Sequence, residues 1–567
     1  MTRGGEVYVA DIETTGLERD SDFIVGVINN EVYWKDRDGF TDRINEIFEN
    51  NLGYIVGHNL FCFDLCNLCY HLPHCLPSVE RHLDKVIDTL LISKLLYPGR
   101  LKHSLESWGN AVGVKKVEVS NDEFVQGSDR TLLEKRCLKD VELNRALLDK
   151  FESRRWKHLV GKQYSAHQKF CGSIVVPMMC TGLPFHEATA KDKEIRLAKK
   201  RARNVMAARK VLGDINFQSN QQIDKALKDV YGKGLPLGEP AKKTGRRSPI
   251  LNKDNREEMI QKFPILANVF LAKDAKMHMD FFGEGKKSFR YSLIGDRVFY
   301  HYNHIGARTF RSAISAPPMQ QVPKDVRAAI KAVRGQKILA ADVDSLEYAF
   351  YCWLLKNVLK SPKLWDALQA GVSPKKQTIE VFKKHGCLDR VVLYGGQTLE
   401  DKCKTATYAK LYGAADATLA AQFNVPHGEF HRMTAAVEER FMGIKLLSRA
   451  IENAIVDGCI TNVWGEKVPT TPYKALNTFI QSSGSGYSWR LLYLFYTNLK
   501  KEFDRLGRYI RPICWVHDEI VMEMEHFEGH VEVIEAARLK ALDEFEERWG
   551  FPCIAGFGYN VNEHWTK

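Results

Sequence analysis

Hydrophobic and polar positions alternate in different ways along the chain. In residues 1–150, short apolar runs typical of strands are separated by helical patterns at 90–96 and 132–151. Interleaved strands and helices of this kind predict an α/β domain.

The remaining chain divides into two further zones. Residues 187–290 are charged, with helical periodicity on both sides of a Gly/Pro-containing stretch at 232–249, and they predict a protruding helical element. Beyond residue 300, apolar runs at 337–343 and 513–524 predict buried strands with long helices between them. We therefore expect an α/β multidomain protein.

Length and composition narrow the classes of protein. A chain of 567 residues exceeds what a single core supports, which favours several domains. The uncharged run at 170–185 is broken by Gly and Pro and is too short to cross a bilayer. With no secretory signal pattern, we expect a cytoplasmic protein, not bound to a membrane, whose 13 cysteines are reduced thiols.

The positive charge is concentrated in one zone. The net charge is +12, and residues 191–250 alone hold 16 Lys/Arg against 6 Asp/Glu. A solvated helix face is the simpler explanation of such a run. Because its basic clusters are spaced along a helical element, we favour a site for polyanion phosphates. The residues expected to contact such phosphates here are Lys242, Lys243, Arg246 and Arg247.

Two carboxylates stand near the start of the chain. Asp11 and Glu13 follow an apolar strand pattern two residues apart, so a strand places both on one face. Asp64 follows a second apolar run, and Asp140 lies in a helical pattern. Convergent carboxylates repel unless a cation lies between them, and four of them suit two Mg²⁺ or Mn²⁺ ions for phosphodiester cleavage.

These segments resemble the DEDD-type 3′ to 5′ proofreading exonucleases. DIETTG, NLFCFD and LKDV occur in the family's order, and the resemblance implies that Asp11, Glu13, Asp64 and Asp140 bind two metal ions. The family has a Tyr four residues before its last Asp to position the attacking water, and this chain has Arg136. We therefore predict a metal-dependent exonuclease that is slower than its relatives.

A group of cysteines and histidines between residues 62 and 75 offers a zinc hypothesis. Cys62, Cys66 and Cys69 follow the spacing of one helix face, and no CxxC pair is matched by a second. Free cysteine is among the most buried residue types, so a packed thiol face is the favoured interpretation.

Two further acids end strongly apolar runs in the C-terminal zone. Asp342 closes one predicted strand, and Glu347 follows as a helix begins. The run at 513–524 predicts a hairpin with His517, Asp518 and Glu519 at its turn. Unpaired charge at such positions is costly, so a bound metal is expected to compensate it.

A helical segment between these acids carries a cation and two aromatic rings. Lys404, Tyr408 and Tyr412 recur every four residues and share one helix face, with Gly413 following. Such a face can bind a triphosphate, stack on a base and contact a template strand. A surface helix with two packed tyrosines is the simpler alternative for this segment alone.

In combination, these motifs resemble the family A DNA polymerases, and in particular the compact phage-type replicative members. DVDSLE, KxxxYxxxYG at 404–413, HDE at 517–519, GARTFRSAISAPPMQQVP and ALNTFIQSSGS match family motifs in order. The resemblance implies a DNA-directed DNA polymerase with an RNase H-like exonuclease domain ahead of a right-hand polymerase. It further implies a monomer that replicates a phage genome in the host cytoplasm, using primer-template DNA, dNTPs and a processivity factor or replisome helicase/primase as partners.

The resemblance also implies domain boundaries. The expected order is exonuclease domain 1–150, connector 151–186, thumb 187–300, first part of the palm 301–360, fingers 361–440 and remainder of the palm 441–567.

The implied catalytic roles begin with the metal ligands. Asp342 and Asp518, helped by the Val343 carbonyl, would hold two Mg²⁺ ions, with Mn²⁺ as a substitute. Glu519 completes the HDE acid pair, and His517 would support the primer end.

The implied contacts with nucleotide and DNA involve the other motif residues. Lys404 would pair with the phosphates, Tyr408 would stack on the incoming nucleotide, and Tyr412 would contact the template. Glu347, held by Tyr408, would exclude a 2′-OH. For the duplex, the resemblance implies minor-groove contacts from Arg311 and Gln481, and support of the primer end by Asn477.

The chain departs from the family at three further places. Glu400 stands where the fingers helix has Arg, Phe310 replaces a glycine, and Lys375 lies where a His-containing element is expected. The missing cation would be supplied from elsewhere, with Lys402 and Lys410 as candidates.

Two other functions remain open. A single-subunit RNA polymerase shares the Lys/Tyr helix and the aspartate pair, but Glu347, the HDE pair and the nuclease-like N-terminal region disfavour it. A non-catalytic DNA-binding descendant is disfavoured because Asp342, Lys404 and Asp518 are all present.

Overall fold

The structure is a computed structural model that describes residues 6–16, 20–119, 129–240, 245–252, 255–393 and 397–566. Two sheets organise the chain, a five-stranded one near the N-terminus and a four-stranded one built from C-terminal strands. The strands, with the bounds the structure gives them, are β1 Glu6–Thr14, β2 Phe23–Ile28, β3 Glu31–Trp34, β4 Gly53–Gly57, β5 Val86–Asp88, β6 Leu183–Pro184, β7 Leu293–Ile294, β8 Arg297–Val298, β9 His301–Asn303, β10 Ala313–Ser315, β11 Gln336–Val343, β12 Cys459–Thr461, β13 Lys467–Pro469, β14 Ile510–Val516, β15 Glu519–Glu525 and β16 Phe557–Asn562.

Helices make up most of the remaining described chain. Those before residue 300 are Arg37–Glu49, Asp64–His71, Leu76–Arg81, Thr89–Leu96, Leu105–Val112, Arg130–Ser153, Trp156–Phe170, Val176–Thr181, Glu187–Leu212, Asn220–Tyr231, Arg256–Lys262 and Leu266–Asp280. Those after it are Lys324–Arg327, Leu346–Val358, Lys363–Gln369, Pro374–Lys384, Leu399–Leu411, Asp416–Gln422, Phe430–Arg440, Ile444–Glu452, Ala475–Arg505 and His530–Trp549. No helix of the described residues is long and apolar enough to span a bilayer.

The N-terminal sheet has the strand order β3-β2-β1-β4-β5. Strand β1 pairs antiparallel with β2 and parallel with β4, which in turn is parallel to β5. Residues at the centre of the sheet are fully buried, including Val9 in β1 and Ile55 and Val56 in β4. The helix Arg130–Ser153 packs against β1 and β2, so the predicted α/β organisation is confirmed and Asp140 is brought to the end of β1.

The described residues between 187 and 280 form a helical arm with a core of its own. The helix Glu187–Leu212 packs along Leu266–Asp280, and the shorter helices between them close a separate apolar cluster. Fully buried residues of that cluster include Ile223, Leu227 and Met259. The charged helical zone of the sequence is therefore a distinct element, as its pattern predicts.

The C-terminal sheet has the order β14-β15-β11-β16 and is antiparallel throughout. Its hairpin β14–β15 forms where the apolar run predicts it. However, every β15 residue from Glu519 to Met524 is buried, so the strand has no alternating solvent face. Glu523 is tolerated there because Arg297 donates a hydrogen bond of 2.6 Å to its carboxylate.

Candidate functional site

The C-terminal sheet brings Asp342 and Asp518 together. Asp342 is the penultimate residue of β11, and Asp518 lies in the β14–β15 turn, where the Val343 amide donates to its carbonyl at 3.1 Å. His517 occupies the left-handed region at φ 55°, which lets the chain reverse within two residues. Burial raises the pKa of Asp518 to about 7, and the Glu347 and Asp342 carboxylates add to the effect while Arg311 opposes it.

Glu347 is the centre of a hydrogen-bonded group beside these aspartates. Its Oε1 accepts from Arg311 Nη2 at 2.6 Å and from the Tyr412 hydroxyl at 2.7 Å. The sequence-based assignment of Tyr408 as the residue that holds Glu347 is therefore wrong for this hydrogen bond. Tyr408 lies nearby and interacts with Ser345. Tyr408 and Tyr412 share a helix face but are one turn apart along the axis, so they meet different partners.

The helix Leu399–Leu411, here called the Lys/Tyr helix, carries the predicted nucleotide face. It begins with a capping box in which Thr398 and Asp401 bond each other's backbone amides. Lys404 is exposed, whereas Tyr408 and Tyr412 are half-buried with ring centroids 6.4 Å apart. Burial followed by the Glu347 charge raises the pKa of both phenols, so they stay neutral hydrogen-bonding rings.

The second acid of the HDE motif faces away from this group. Glu519 is buried, and its carboxylate accepts from Trp565 Nε1 at 3.0 Å and from Arg327 at 3.3 Å. These partners tie the hairpin to the C-terminal segment. His517 is exposed at the turn.

The residues predicted to contact the minor groove and the primer end lie on two neighbouring elements. Asn477 and Gln481 are one turn apart near the start of the helix Ala475–Arg505. Within the described residues, the buried Oδ1 of Asn477 has no hydrogen-bond partner. Arg311 follows Phe310, which adopts φ 61° and whose carbonyl accepts from Ser485 at 3.0 Å. At the position of the family glycine, Phe310 therefore has a left-handed backbone, a conformation that glycine adopts most readily.

Two of the four basic residues predicted to contact phosphates lie in the described part of the chain. Arg246 and Arg247 are exposed. Lys242 and Lys243 lie outside the described residues.

A second acidic group lies at the edge of the N-terminal sheet. One ligand oxygen each of Asp11, Glu13 and Asp140 lies within 4.8 Å of the others. Asp64 is beside them, because its Oδ1 accepts from the Ile12 amide at 3.3 Å. All four predicted acids therefore converge. The group opens into a cleft of about 860 Å³ that also reaches Phe310 and neighbouring residues.

Two cations are bonded to this N-terminal group. Arg136 Nε donates to Glu13 at 2.6 Å, and Lys116 Nζ donates to Asp140 Oδ2 at 2.5 Å. Burial, reinforced by the neighbouring carboxylates, still raises the pKa of Asp11 well above its usual range. No sequence pattern marks Lys116, because it lies in an irregular segment 24 residues before Asp140.

The N-terminal acids fit a divalent cation. Carboxylate oxygens are the ligands that Mg²⁺ and Mn²⁺ prefer. Asp140 Oδ1 is buried and has no hydrogen-bond partner among the described residues, so it can accept a ligand bond without losing another contact. The Cys and His side chains at 62–75 form no such group in the described part of the chain. Of the predicted thiol face, Cys66 and Cys69 are buried and Cys62 is partly buried.

Comparison with known proteins identifies the family. The model of DNA polymerase family A matches residues 187–545, which is more than half of the chain. The chain belongs to DNA polymerase family A.

The chain is similar to particular members of this family. It is 26% identical to DNA polymerase I of Aquifex aeolicus over 42% of the chain and 41% of that protein. It is 22% identical to DNA polymerase I of Chloroflexus aurantiacus over 55% of the chain and 33% of that protein. The matches thus span less than half the length of these relatives.

A solved structure shares the fold over nearly the whole chain. The polymerase domain of Pol1 from M. smegmatis, in complex with a DNA primer-template and dNTP, superposes with a TM-score of 0.72. The superposition covers 99% of this chain and 96% of that one at 16% identity. At this identity the likeness supports the fold alone.

Proposed function

We propose that this protein is a template-directed DNA polymerase that adds dNTPs to a primer 3′ end by two-metal nucleotidyl transfer. The observation that carries the proposal is the convergence of Asp342 and Asp518 beside the Glu347–Arg311–Tyr412 group. Four distant chain segments supply these residues, and the arrangement matches what the reaction needs. We assign the C-terminal sheet to the palm, residues 361–440 to the fingers and residues 187–300 to the thumb.

The chain's own residues bind and orient the reactants. Asp342 and Asp518, with the Val343 carbonyl, would hold two Mg²⁺ ions, which supply Lewis acidity and charge neutralisation at the primer 3′-OH and the triphosphate. Exposed Lys404 pairs with the phosphates and donates a proton to the leaving pyrophosphate. Tyr408 stacks on the incoming base, and Tyr412 lies toward the template.

We assign the discrimination between deoxyribonucleotides and ribonucleotides to Glu347. The hydrogen bonds from Arg311 and Tyr412 fix its carboxylate, so it cannot swing away from a 2′-OH without breaking both. A ribonucleotide would bring a hydroxyl into this filled space, and deoxyribonucleotides would be preferred.

The duplex is held without sequence preference. Arg311 and Gln481 donate to minor-groove acceptors that all correct base pairs share, while Asn477 and His517 support the primer end. Arg246 and Arg247 on the arm contact phosphates, and we assign the same role to Lys242 and Lys243.

We further propose a 3′ to 5′ exonuclease at the N-terminal acids. Asp11, Glu13, Asp64 and Asp140 would hold the divalent metal ions that activate water and stabilise the leaving oxygen. Arg136 remains protonated, so it can hold a phosphate but cannot act as a base. We therefore expect slow proofreading. From the resemblance we also propose phage genome replication in the host cytoplasm by a monomer, with a processivity factor or replisome helicase/primase as partner.

A primer-extension assay tests the polymerase proposal and its rivals. The full chain is incubated with a labelled primer on a defined template in Mg²⁺ and with dNTPs, rNTPs or no nucleotide. Templated extension with dNTPs is expected, together with slow shortening when nucleotides are absent. Equal use of rNTPs would support an RNA polymerase. DNA binding without extension would support a non-catalytic descendant.

A further inference from the structure

The Lys/Tyr helix has an acid where a triphosphate would approach. Glu400 lies one turn before Lys404, so both side chains leave the same face of the helix. A carboxylate there repels the phosphates that Lys404 is proposed to bind. The chain therefore needs a second cation on this face.

The two lysines suggested by the sequence do not supply it. Lys402 is buried and bonded to Glu257 of the helical arm at 2.5 Å. Lys410 is bonded to Asp416 at 2.6 Å and to a backbone carbonyl at 3.1 Å. Moving either one to the nucleotide would leave a partly buried carboxylate without its partner.

Lys375 does reach this face. Its ammonium forms an ion pair with the Glu400 carboxylate, and both side chains are 42% exposed. Exposed pairs of this kind add little stability and exchange partners readily. A triphosphate, which carries several negative charges and offers charge-assisted hydrogen bonds, can compete with one carboxylate for the ammonium.

The surrounding structure fixes the backbone that carries Lys375. Lys375 is the second residue of the helix Pro374–Lys384. Arg440, almost fully buried, donates to the Pro374 carbonyl at 3.0 Å and to Thr378 Oγ1 at 2.9 Å. Thr378 also bonds Thr407 of the Lys/Tyr helix at 2.8 Å. The two helices are thus joined by buried polar contacts, and Lys375 is held beside Glu400, one helical turn before Lys404.

We propose that Lys375 is a second binding residue for the nucleotide triphosphate and that Glu400 is its partner in the nucleotide-free protein. On binding, Lys375 leaves Glu400 for non-bridging phosphate oxygens, next to the site of Lys404. The assignment rests on the proposed polymerase function. It predicts that the two members of one ion pair affect nucleotide affinity in opposite directions, since one attracts the triphosphate and the other repels it.

The test compares KM for the templated dNTP in primer extension by full-length variants. Lys375→Gln should raise KM about tenfold, the loss of one charge-assisted contact. Glu400→Gln should lower KM, because the repulsion is removed and Lys375 is released. The matched control is Lys376→Gln, an exposed neighbour that should leave KM unchanged. Thermal unfolding of each variant checks the fold.

The outcomes separate this inference from the proposed function. An equal rise in KM for Lys375→Gln and Glu400→Gln, with equal destabilisation, would show that the pair is only structural and would overturn the inference. An unchanged KM for Lys375→Gln in an enzyme that extends primers would also overturn it while leaving the polymerase assignment intact. A wild-type chain that extends no primer would overturn both.

Discussion

The two acidic groups of this protein balance their charge differently. In the N-terminal group, Glu13 and Asp140 are bonded to Arg136 and Lys116, two cations of the chain itself. In the C-terminal group, the nearby cation Arg311 is bonded to Glu347. Burial and neighbouring carboxylates raise the pKa of Asp518 to about 7 and that of Asp11 well above its usual range, so the two groups differ in their ion pairs and not in the direction of these pKa shifts.

The difference indicates how strongly each group should depend on added divalent ions. Charged groups in a partly buried site are stable only when compensated. In the N-terminal group, Lys116 and Arg136 already offset part of the carboxylate charge, so an entering metal ion must compete with them. Around Asp342 and Asp518, we expect the ions that arrive with the nucleotide to supply most of the compensation. The N-terminal group should therefore have the weaker and slower metal-dependent activity.

Removal of the N-terminal ligands gives the largest expected change in this comparison. Asp11→Ala with Glu13→Ala should abolish single-strand degradation while primer extension, the control for folding, stays near wild type. Arg136→Tyr should raise degradation, since a positioned group that handles the water is worth roughly 10² to 10⁴-fold. Degradation rates of a labelled single strand in Mg²⁺ measure both. Persistent degradation by the double variant would place the hydrolytic site elsewhere.

Replacing Glu347 sharpens the account of the C-terminal group. Glu347→Ala removes the carboxylate that Arg311 and Tyr412 hold, so rNTP incorporation relative to dNTP should rise by about 10²-fold, with some loss of rate. The kcat/KM ratio for matched nucleotides measures this. Exposed Glu380→Ala serves as the control. A wild-type enzyme that already uses rNTPs as well as dNTPs would contradict the assigned role.

Neutralising Lys116 tests directly whether this cation compensates the negative charge of the N-terminal acids. Lys116→Gln removes a positive charge 2.5 Å from Asp140 Oδ2, so Mn²⁺ should bind the N-terminal group about tenfold more tightly. Calorimetry in an Asp342→Asn, Asp518→Asn background isolates that group. An unchanged affinity would mean that Lys116 does not compete with the metal.

The smallest expected effect concerns the arm. Arg246→Gln with Arg247→Gln should weaken duplex binding equally for all sequences and flatten its logarithmic salt dependence by up to about 0.9 for each lost phosphate contact. Lys501→Gln with Arg505→Gln, on an exposed part of the long C-terminal helix, should leave the slope unchanged. Equal slopes in both variants would exclude the arm contact.

Local patterns were sufficient to predict the strands in or beside which Asp11, Asp342 and Asp518 lie, although β1 continues past Asp11 to Thr14. The alternation of apolar and polar residues, and continuous apolar runs, predict which residues of a single strand or helix are buried. An acidic residue directly after such a run is therefore recognisable as a candidate site residue. The shared helix face of Lys404 and Tyr408 follows from the same periodicity.

Contacts between distant segments could not be predicted in this way. Lys116 meets Asp140 from an irregular segment, and buried Lys402 meets Glu257 from 145 residues away. Helix spacing shows that Tyr408 and Tyr412 share a face. It does not show which of the two lies level with Glu347, and Tyr412 makes the hydrogen bond. Such pairings depend on how the elements pack together.

The most direct test is single-turnover incorporation of one templated dNTP by Asp342→Ala and Asp518→Ala variants, with duplex affinity measured in parallel. We expect a loss of at least about 10³-fold in rate with each variant, since both residues are proposed to hold catalytic metal, and near-normal duplex binding. The Asp11→Ala, Glu13→Ala variant should incorporate at the wild-type rate. Near-normal incorporation by either C-terminal variant would contradict the assignment of the polymerase site.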